Sequence, residues 1–159
     1  MKFTVRSATE SDVPALLEMI RELASFEKLS HQVSADTEIL RDSLFRRRAA
    51  EALLGEIDGN PVAFAIFFHN FSTFLGKPGL YLEDLFVKPM YRGRGYGDRM
   101  LKEVAKIAFD RDCGRLEWAV LDWNENAIRF YKRLGAQPMS DWGIFRLNQT
   151  EIQSLARTC

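Results

Sequence analysis

Two stretches of the chain hold residue types whose spacing could do chemistry. The first reads Tyr81-Leu-Glu-Asp-Leu-Phe-Val-Lys-Pro-Met-Tyr-Arg92-Gly93-Arg94-Gly95-Tyr96-Gly97. A strand ending at Val87, a glycine turn and a helix opening near Gly97 would gather unpaired backbone N–H groups and the positive end of a helix dipole at one point. That point suits an anion. Arg92 and Arg94 add guanidinium groups that fit phosphate oxygens, which favours a pyrophosphate over a carboxylate. Taken alone, the glycines also suit a structural turn. They match neither the Gly-x-Gly-x-x-Gly dinucleotide pattern nor the Gly-Lys-Ser/Thr of a P-loop, and they come after several strands, not after the first.

The second stretch reads Asp122-Trp-Asn124-Glu-Asn-Ala127-Ile-Arg-Phe-Tyr131-Lys-Arg-Leu-Gly135-Ala. Asn124 is suited to cap the helix it opens. Ala127 and Tyr131 are four apart, and Asn124 precedes Tyr131 by seven, so the three share one helix face on which a small residue leaves room for a ligand. Read by itself, Tyr131 fits a core tyrosine, its ring packed and its hydroxyl at the edge, better than a catalyst.

These stretches need elements to position them. Alternation over 2–6 predicts a first strand, and Thr9 with Asp12 three residues on predicts the capping of a helix whose stripe is Val13, Leu16, Leu17, Ile20, Leu23 and Ala24, ending near Glu27. A weaker helix is expected over 35–45 and a strand over 49–57, followed by a turn at Asp58-Gly59-Asn60-Pro61. The nearly unbroken apolar run 62–68 suggests a central strand, and 81–87 a further one. Met100, Leu101, Val104, Ala105 and Ala108 mark one face of the helix after the glycine loop. Strands over 116–121 and 142–147, a helix over 124–134 stopped by Gly135, and a short C-terminal helix complete a mixed α/β (α+β) sheet of about six or seven strands with helices on its faces.

Composition narrows the function classes. The 159 residues are 47% hydrophobic and 28% charged, which predicts one packed domain over 1–159. Twenty-two Lys and Arg balance twenty-two Asp and Glu, so no general field attracts nucleic acid or anionic lipid, and the run Arg46 to Arg48 reads as a solvated helix end. No apolar stretch approaches the roughly 20 residues of a membrane span, and the first residues lack the apolar segment of a secretory signal, which predicts a cytoplasmic protein. Cys113 and Cys159 have no metal-ligand spacing, so both are expected as free thiols, Cys113 buried, and no metal is expected. His31 and His69 are isolated and are not expected to be catalytic.

Together these motifs resemble the GNAT superfamily of acetyl-coenzyme A dependent N-acetyltransferases. Arg92-x-x-Gly95-x-Gly97 is similar to its pyrophosphate motif, and Asn124 with Tyr131 to its second motif. YLEDLFV, YRGRGYG, DWNENAIRFYKRLGA and the early ELASFEK resemble the corresponding stretches of diamine, polyamine and thialysine N-acetyltransferases, in the same order, from about Phe3 to Leu147. The resemblance implies a mostly antiparallel sheet splayed at the coenzyme site, a homodimer to which Phe71, Phe74 and Trp142 could contribute, and direct transfer of acetyl from acetyl-CoA to a primary amine. It makes Tyr131 the general acid at the sulfur and Glu83 the base near the amine, with Asp84 expected on the opposite face of a regular strand. Leu85, Phe86 and Val87 become backbone contacts of the coenzyme. Arg92, Gly93, Arg94, Gly95, Tyr96, Gly97 and Asp98 hold its pyrophosphate, provided that Asp98 points away. Asn124, Ala127 and Tyr131 line it further along.

Phe26 and Glu27 match the polyamine end of the family's cleft. After Gly135 the sequence departs: the family's substrate-binding glutamate falls on Gly143, with Asp141 the nearest acid. Each desolvated ammonium needs a partner, so a diamine or a lysine-like amino acid becomes as plausible as a long polyamine. Acetylation of a protein or peptide amine, and a noncatalytic acyl-CoA sensor, are the alternatives.

Overall fold

Period-two apolar alternation, interrupted by two helical stripes, dictates the architecture of the first part of the chain. The computed structural model describes residues 2–158, which fall into two units, 2–121 and 122–158. In the first unit β1 (Phe3–Ser7), β2 (Glu51–Ile57), β3 (Asn60–Ser72), β4 (Lys77–Val87) and β5 (Leu116–Trp118) form a sheet in that order. Pairing is antiparallel throughout except for the parallel β4–β5 pair. The expected turn joins β2 to β3, with Asp58 and Gly59 both at positive φ; Pro61 lies just inside β3.

Helix α1 (Val13–Phe26) buries Val13, Leu16, Leu17, Met19, Leu23 and Ala24, each large side chain contributing roughly 1.5–3 kcal/mol. Met19 is buried where the spacing favoured Ile20, which is half-buried. Asp12 accepts a hydrogen bond from the Thr9 N–H at 2.7 Å, so the expected cap is present, one short 3-10 turn ahead of α1. Helix α2 (Thr37–Arg41) runs on into a π-helical turn, Asp42–Arg46, that buries Leu44.

The sheet registers place Leu54, Phe64 and Phe86 in one row, and these pack with Leu16, Met19 and Leu23 of α1. The adjacent row is Val5, Gly55, Ala63 and Val87. A Cβ on Gly55 would lie 3.0 Å from the Met100 sulfur of α3 (Tyr96–Asp110). The two helices therefore cover opposite faces, as the alternation of a strand requires. On α3 the buried positions are Met100, Leu101, Val104 and Ala108; Ala105 is exposed. Cys113 is half-buried, not buried, in the turn after α3, and Cys159 lies outside the described residues.

The second unit contains α4 (Glu125–Arg133) and α5 (Gln149–Ala156). The strand expected over 142–147 is not formed, which leaves five strands among the described residues. A strand exists only through ladder bonds to a neighbour, and an apolar run without one stays irregular. Trp142, Ile144 and Leu147 are exposed there and Phe145 fully so. Likewise, of the strand expected over 116–121, only Leu116–Trp118 pairs with β4.

Candidate active site

The glycine loop begins where β4 stops. A short turn, Pro89–Tyr91, carries the chain from Val87 to Arg92, whose N–H donates to the Pro89 carbonyl at 3.2 Å. Gly93 and Gly95 have φ of +79° and +81°, a region that L side chains enter at a cost of about 1–2 kcal/mol. Nothing lies within 4 Å of where their Cβ atoms would be. Gly95 is the N-cap of α3 and supplies no side-chain acceptor, so no cap side chain covers the first N–H groups of the helix. Uncapped helix donors beside two glycines with open space around them fit a diphosphate.

The side chains around the loop divide in two. Arg94 is exposed, with its guanidinium carbon 5.9 Å from the Tyr91 ring centroid. Asp98 pairs with Lys102 at 2.6 Å, which offsets the negative charge at the helix start. Tyr96 stacks on Phe3 with centroids 4.2 Å apart, so its ring belongs to the core. Arg92, exposed as well, is the one tied to the fold: its Nε donates to the Val87 carbonyl at 2.8 Å, and its guanidinium carbon lies 4.6 Å from the Phe26 ring centroid.

Beside the loop, β4 loses one neighbour. It pairs with β5 only from Leu80 to Leu82, so Glu83, Asp84, Leu85, Phe86 and Val87 run on with no β5 residue opposite them. This is the splay that the resemblance implied, and it leaves backbone groups of that edge available to a ligand.

The acids on β4 are not arranged as a regular strand would arrange them. Ile66 pairs with Asp84 while Phe67 pairs with Leu82, so Glu83 is the extra residue of a β-bulge. The bulge resets the alternation and puts Asp84 opposite Ile66, in the row that faces α1. The expectation for Asp84 assumed a regular strand, and that condition is not met at Glu83. Glu83 is exposed and Asp84 half-buried. Burial, then the charges of Glu83 and Glu27, push the Asp84 carboxyl up to about 6. Burial also pushes the Glu27 carboxyl up. The charge of Glu27, at the end of α1, thus reaches the Asp84 carboxyl beside that of Glu83, which links the three acids into one electrostatic group. The adjacent acids were visible in the sequence; the bulge that joins them carries no signal there.

The second unit positions its own candidates. The Asn124 Oδ1 accepts from the Ala127 N–H at 3.3 Å, which is the expected cap of α4. Asn124, Ala127 and Tyr131 are half-buried, and the Tyr131 ring lies 5.5 Å from that of Phe130. Gly135, at φ +91°, ends the helix as expected. Asp141 and Gly143 are exposed in the irregular stretch before α5. His31 and His69 are exposed; the His69 Nε2 lies 3.5 Å from the Arg111 Nη1.

A sheet that parts beside a glycine loop, with a helix opening on that loop, is an arrangement that suits an anionic ligand. The acetyltransferase (GNAT) family model matches residues 16–136, and the chain belongs to that family. It is an acetyltransferase. It is 40% identical to the thialysine N-epsilon-acetyltransferase of Bos taurus, over 96% of each chain. It is 32% identical to the L-ornithine N5-acetyltransferase of Arabidopsis thaliana, over 95% of this chain and 86% of that one. Among solved structures, an integron cassette protein from the mobile metagenome of V. cholerae superposes with a TM-score of 0.82 at 23% identity, covering 99% of both chains, which supports the fold. No helix among the described residues is long and apolar enough to cross a membrane.

Proposed function

We propose that this chain is a cytoplasmic enzyme that moves acetyl from acetyl-CoA directly to the primary amine of a small cation, a diamine or a lysine-like amino acid. The observation that carries the reading is the arrangement along β4: an acidic group of Glu27, Glu83 and Asp84 at one end of the unpaired edge, and a diphosphate-fitting loop at the other. A cation and an anionic carrier are thereby offered places along one strand. The relatives named for thialysine and ornithine support an amino acid with a terminal amine as acceptor. The loss of a family carboxylate at Gly143 speaks against long polyamines.

The chemistry asks little of the protein beyond orientation and two proton transfers. Acetyl-CoA supplies a thioester already activated toward attack, so no nucleophilic Ser or Cys is required. An alkylammonium has a pKa of about 10.4 and a thiol about 8.5, so the acceptor must lose a proton and the departing sulfur must gain one. Glu27 and Asp84 hold the ammonium form. Glu83, the exposed acid of the bulge, takes the amine proton through water; the nitrogen lone pair forms the C–N bond as the C–S bond breaks. Tyr131, on the resemblance, protonates the sulfur. Backbone N–H groups of Leu85 to Val87 hold the carrier arm and the thioester oxygen, and those of Gly93 to Asp98, with Arg94, hold the diphosphate.

Release of free thiol from acetyl-CoA is measured at pH 8 with thialysine, lysine, ornithine, putrescine, spermidine and a lysine-containing peptide. Turnover with the small amines and little with the peptide supports the reading. Turnover with the peptide alone would replace it with a protein acetyltransferase, and binding of acetyl-CoA without any turnover would replace it with a sensor. A homodimer belongs to the same proposal, supported by the exposure of Phe71 and Phe74 in the β3–β4 hairpin and of Trp142. Sedimentation as a monomer at micromolar concentration would remove that part.

A further inference from the structure

Arg92 is the motif residue whose structure departs most from its expected use. Its Nε donates to the Val87 carbonyl, and its guanidinium carbon lies over two aromatic rings, 4.6 Å from the Phe26 centroid and 5.5 Å from that of Phe86. Phe86 is buried in the core; Phe26, the last residue of α1, is 42% exposed. Desolvation in that position pulls the Arg92 pKa down. Arg92 and the neighbouring Arg94 are both exposed, but for Arg94 the ring contact is with Tyr91 of the turn itself, at 5.9 Å.

What Arg92 reaches is the end of α1, and that end carries Glu27. The Glu27 N–H donates to the Leu23 carbonyl at 2.9 Å as the helix stops, and Lys28 takes φ +62°. One turn earlier, Glu22 meets Lys88 at 3.5 Å, again joining α1 to the residues just after β4. The last turn of α1 is therefore joined to the base of the glycine loop by an ion pair and by a guanidinium–ring contact. Because burial is what raises the Glu27 carboxyl, its behaviour toward a cation depends on where that turn sits.

We propose that Arg92 is a positioning residue for the amine acceptor, acting through its stack on Phe26 to hold Glu27 in the acidic group, and that it is not a side-chain ligand of the diphosphate. The inference rests on the reading of that group as the amine site. A lysine keeps the charge but has no planar face to lay on a ring. Loss of a cation–π contact of this kind corresponds to about a tenfold effect.

The test compares wild type, R92K, F26L and the double variant, with acetyl-CoA affinity measured by calorimetry and the amine KM and kcat by thiol release. R92K is expected to raise the amine KM about tenfold while acetyl-CoA affinity stays within about twofold and kcat changes little. F26L should reproduce the effect, F26Y should restore it toward wild type, and the double variant should be no worse than either single change. Weakened acetyl-CoA binding in R92K with an unchanged amine KM overturns the proposal in favour of a phosphate ligand. Additive effects of R92K and F26L overturn it too. If R92K fails to fold, F26L and F26Y decide the same question through the KM against kcat split. If wild type itself turns over no small amine, the proposed function fails, and with it the amine site on which this role depends. A loss of acetyl-CoA affinity in R92K would overturn the role separately.

Discussion

The Asp84 carboxyl gives the most quantitative handle on the acidic group. Its pKa is raised from 3.8 to about 6, with burial the largest cause and the charges of Glu83 and Glu27 adding to it. At about 1.4 kcal/mol per tenfold, a carboxyl so displaced destabilises the charged form of the fold by about 3 kcal/mol. The sign follows from proton counting. Between about pH 4 and pH 6 the folded chain binds the proton that the unfolded chain has released, so this contribution falls as pH rises through that window. Asp84→Asn removes it. The variant should match wild type near pH 4, where Asp84 is protonated in the fold, and exceed it by up to about 3 kcal/mol at pH 7. Urea unfolding across that range measures the difference curve, which isolates Asp84 from Glu27, whose carboxyl burial also raises. A cation bound beside Asp84 should favour the charged form, so amine binding near pH 6 should release protons in wild type and fewer in the variant. Equal stabilities at pH 4 and pH 7, together with equal proton release, would refute the placement of Asp84 in a shared acidic group.

Three further changes probe the other parts of the site. Glu83→Gln should lower kcat/KM by about 10²–10⁴ near neutral pH, the range for loss of a general base, and the deficit should narrow as pH approaches the amine pKa; a constant deficit would assign Glu83 to binding alone. Tyr131→Phe should lower kcat by a similar factor while calorimetry shows acetyl-CoA affinity nearly unchanged, and undiminished turnover would end the general-acid assignment. Gly95→Ala meets no steric neighbour but must hold φ near +81°, so unfolding should show a loss of about 1–2 kcal/mol, accompanied by weaker acetyl-CoA binding; wild-type stability would mean that the loop relaxes.

What could be read from the sequence depended on whether the governing interaction was local. The α1 stripe, the Asp58-Gly59 turn, the glycine loop before α3 and the Asn124 cap follow from periodicity, positive φ and capping within a few residues, and each is present where the spacing put it. The acidic group was only half legible. Glu83 and Glu27 stood out as residues, but the bulge that turns Asp84 toward α1 comes from a register shift against Ile66 and Phe67, far away in sequence. Arg92 shows the opposite case: its type and spacing suit phosphate, and the Phe26 ring and Val87 carbonyl that its side chain meets are brought to it by the fold, with no sign in the local sequence. The run 142–147 has the composition of a strand, but composition does not supply a partner for its ladder bonds, and the segment remains irregular.

The central claim, direct transfer from acetyl-CoA to a small cationic amine, is tested most directly by initial rates with acetyl-CoA and thialysine varied together. The account predicts turnover with intersecting double-reciprocal lines, since both substrates must be bound when the C–N bond forms. Parallel lines would contradict direct transfer by showing an acyl-enzyme, and absence of thiol release at any concentration of either substrate would contradict the amine acceptor itself.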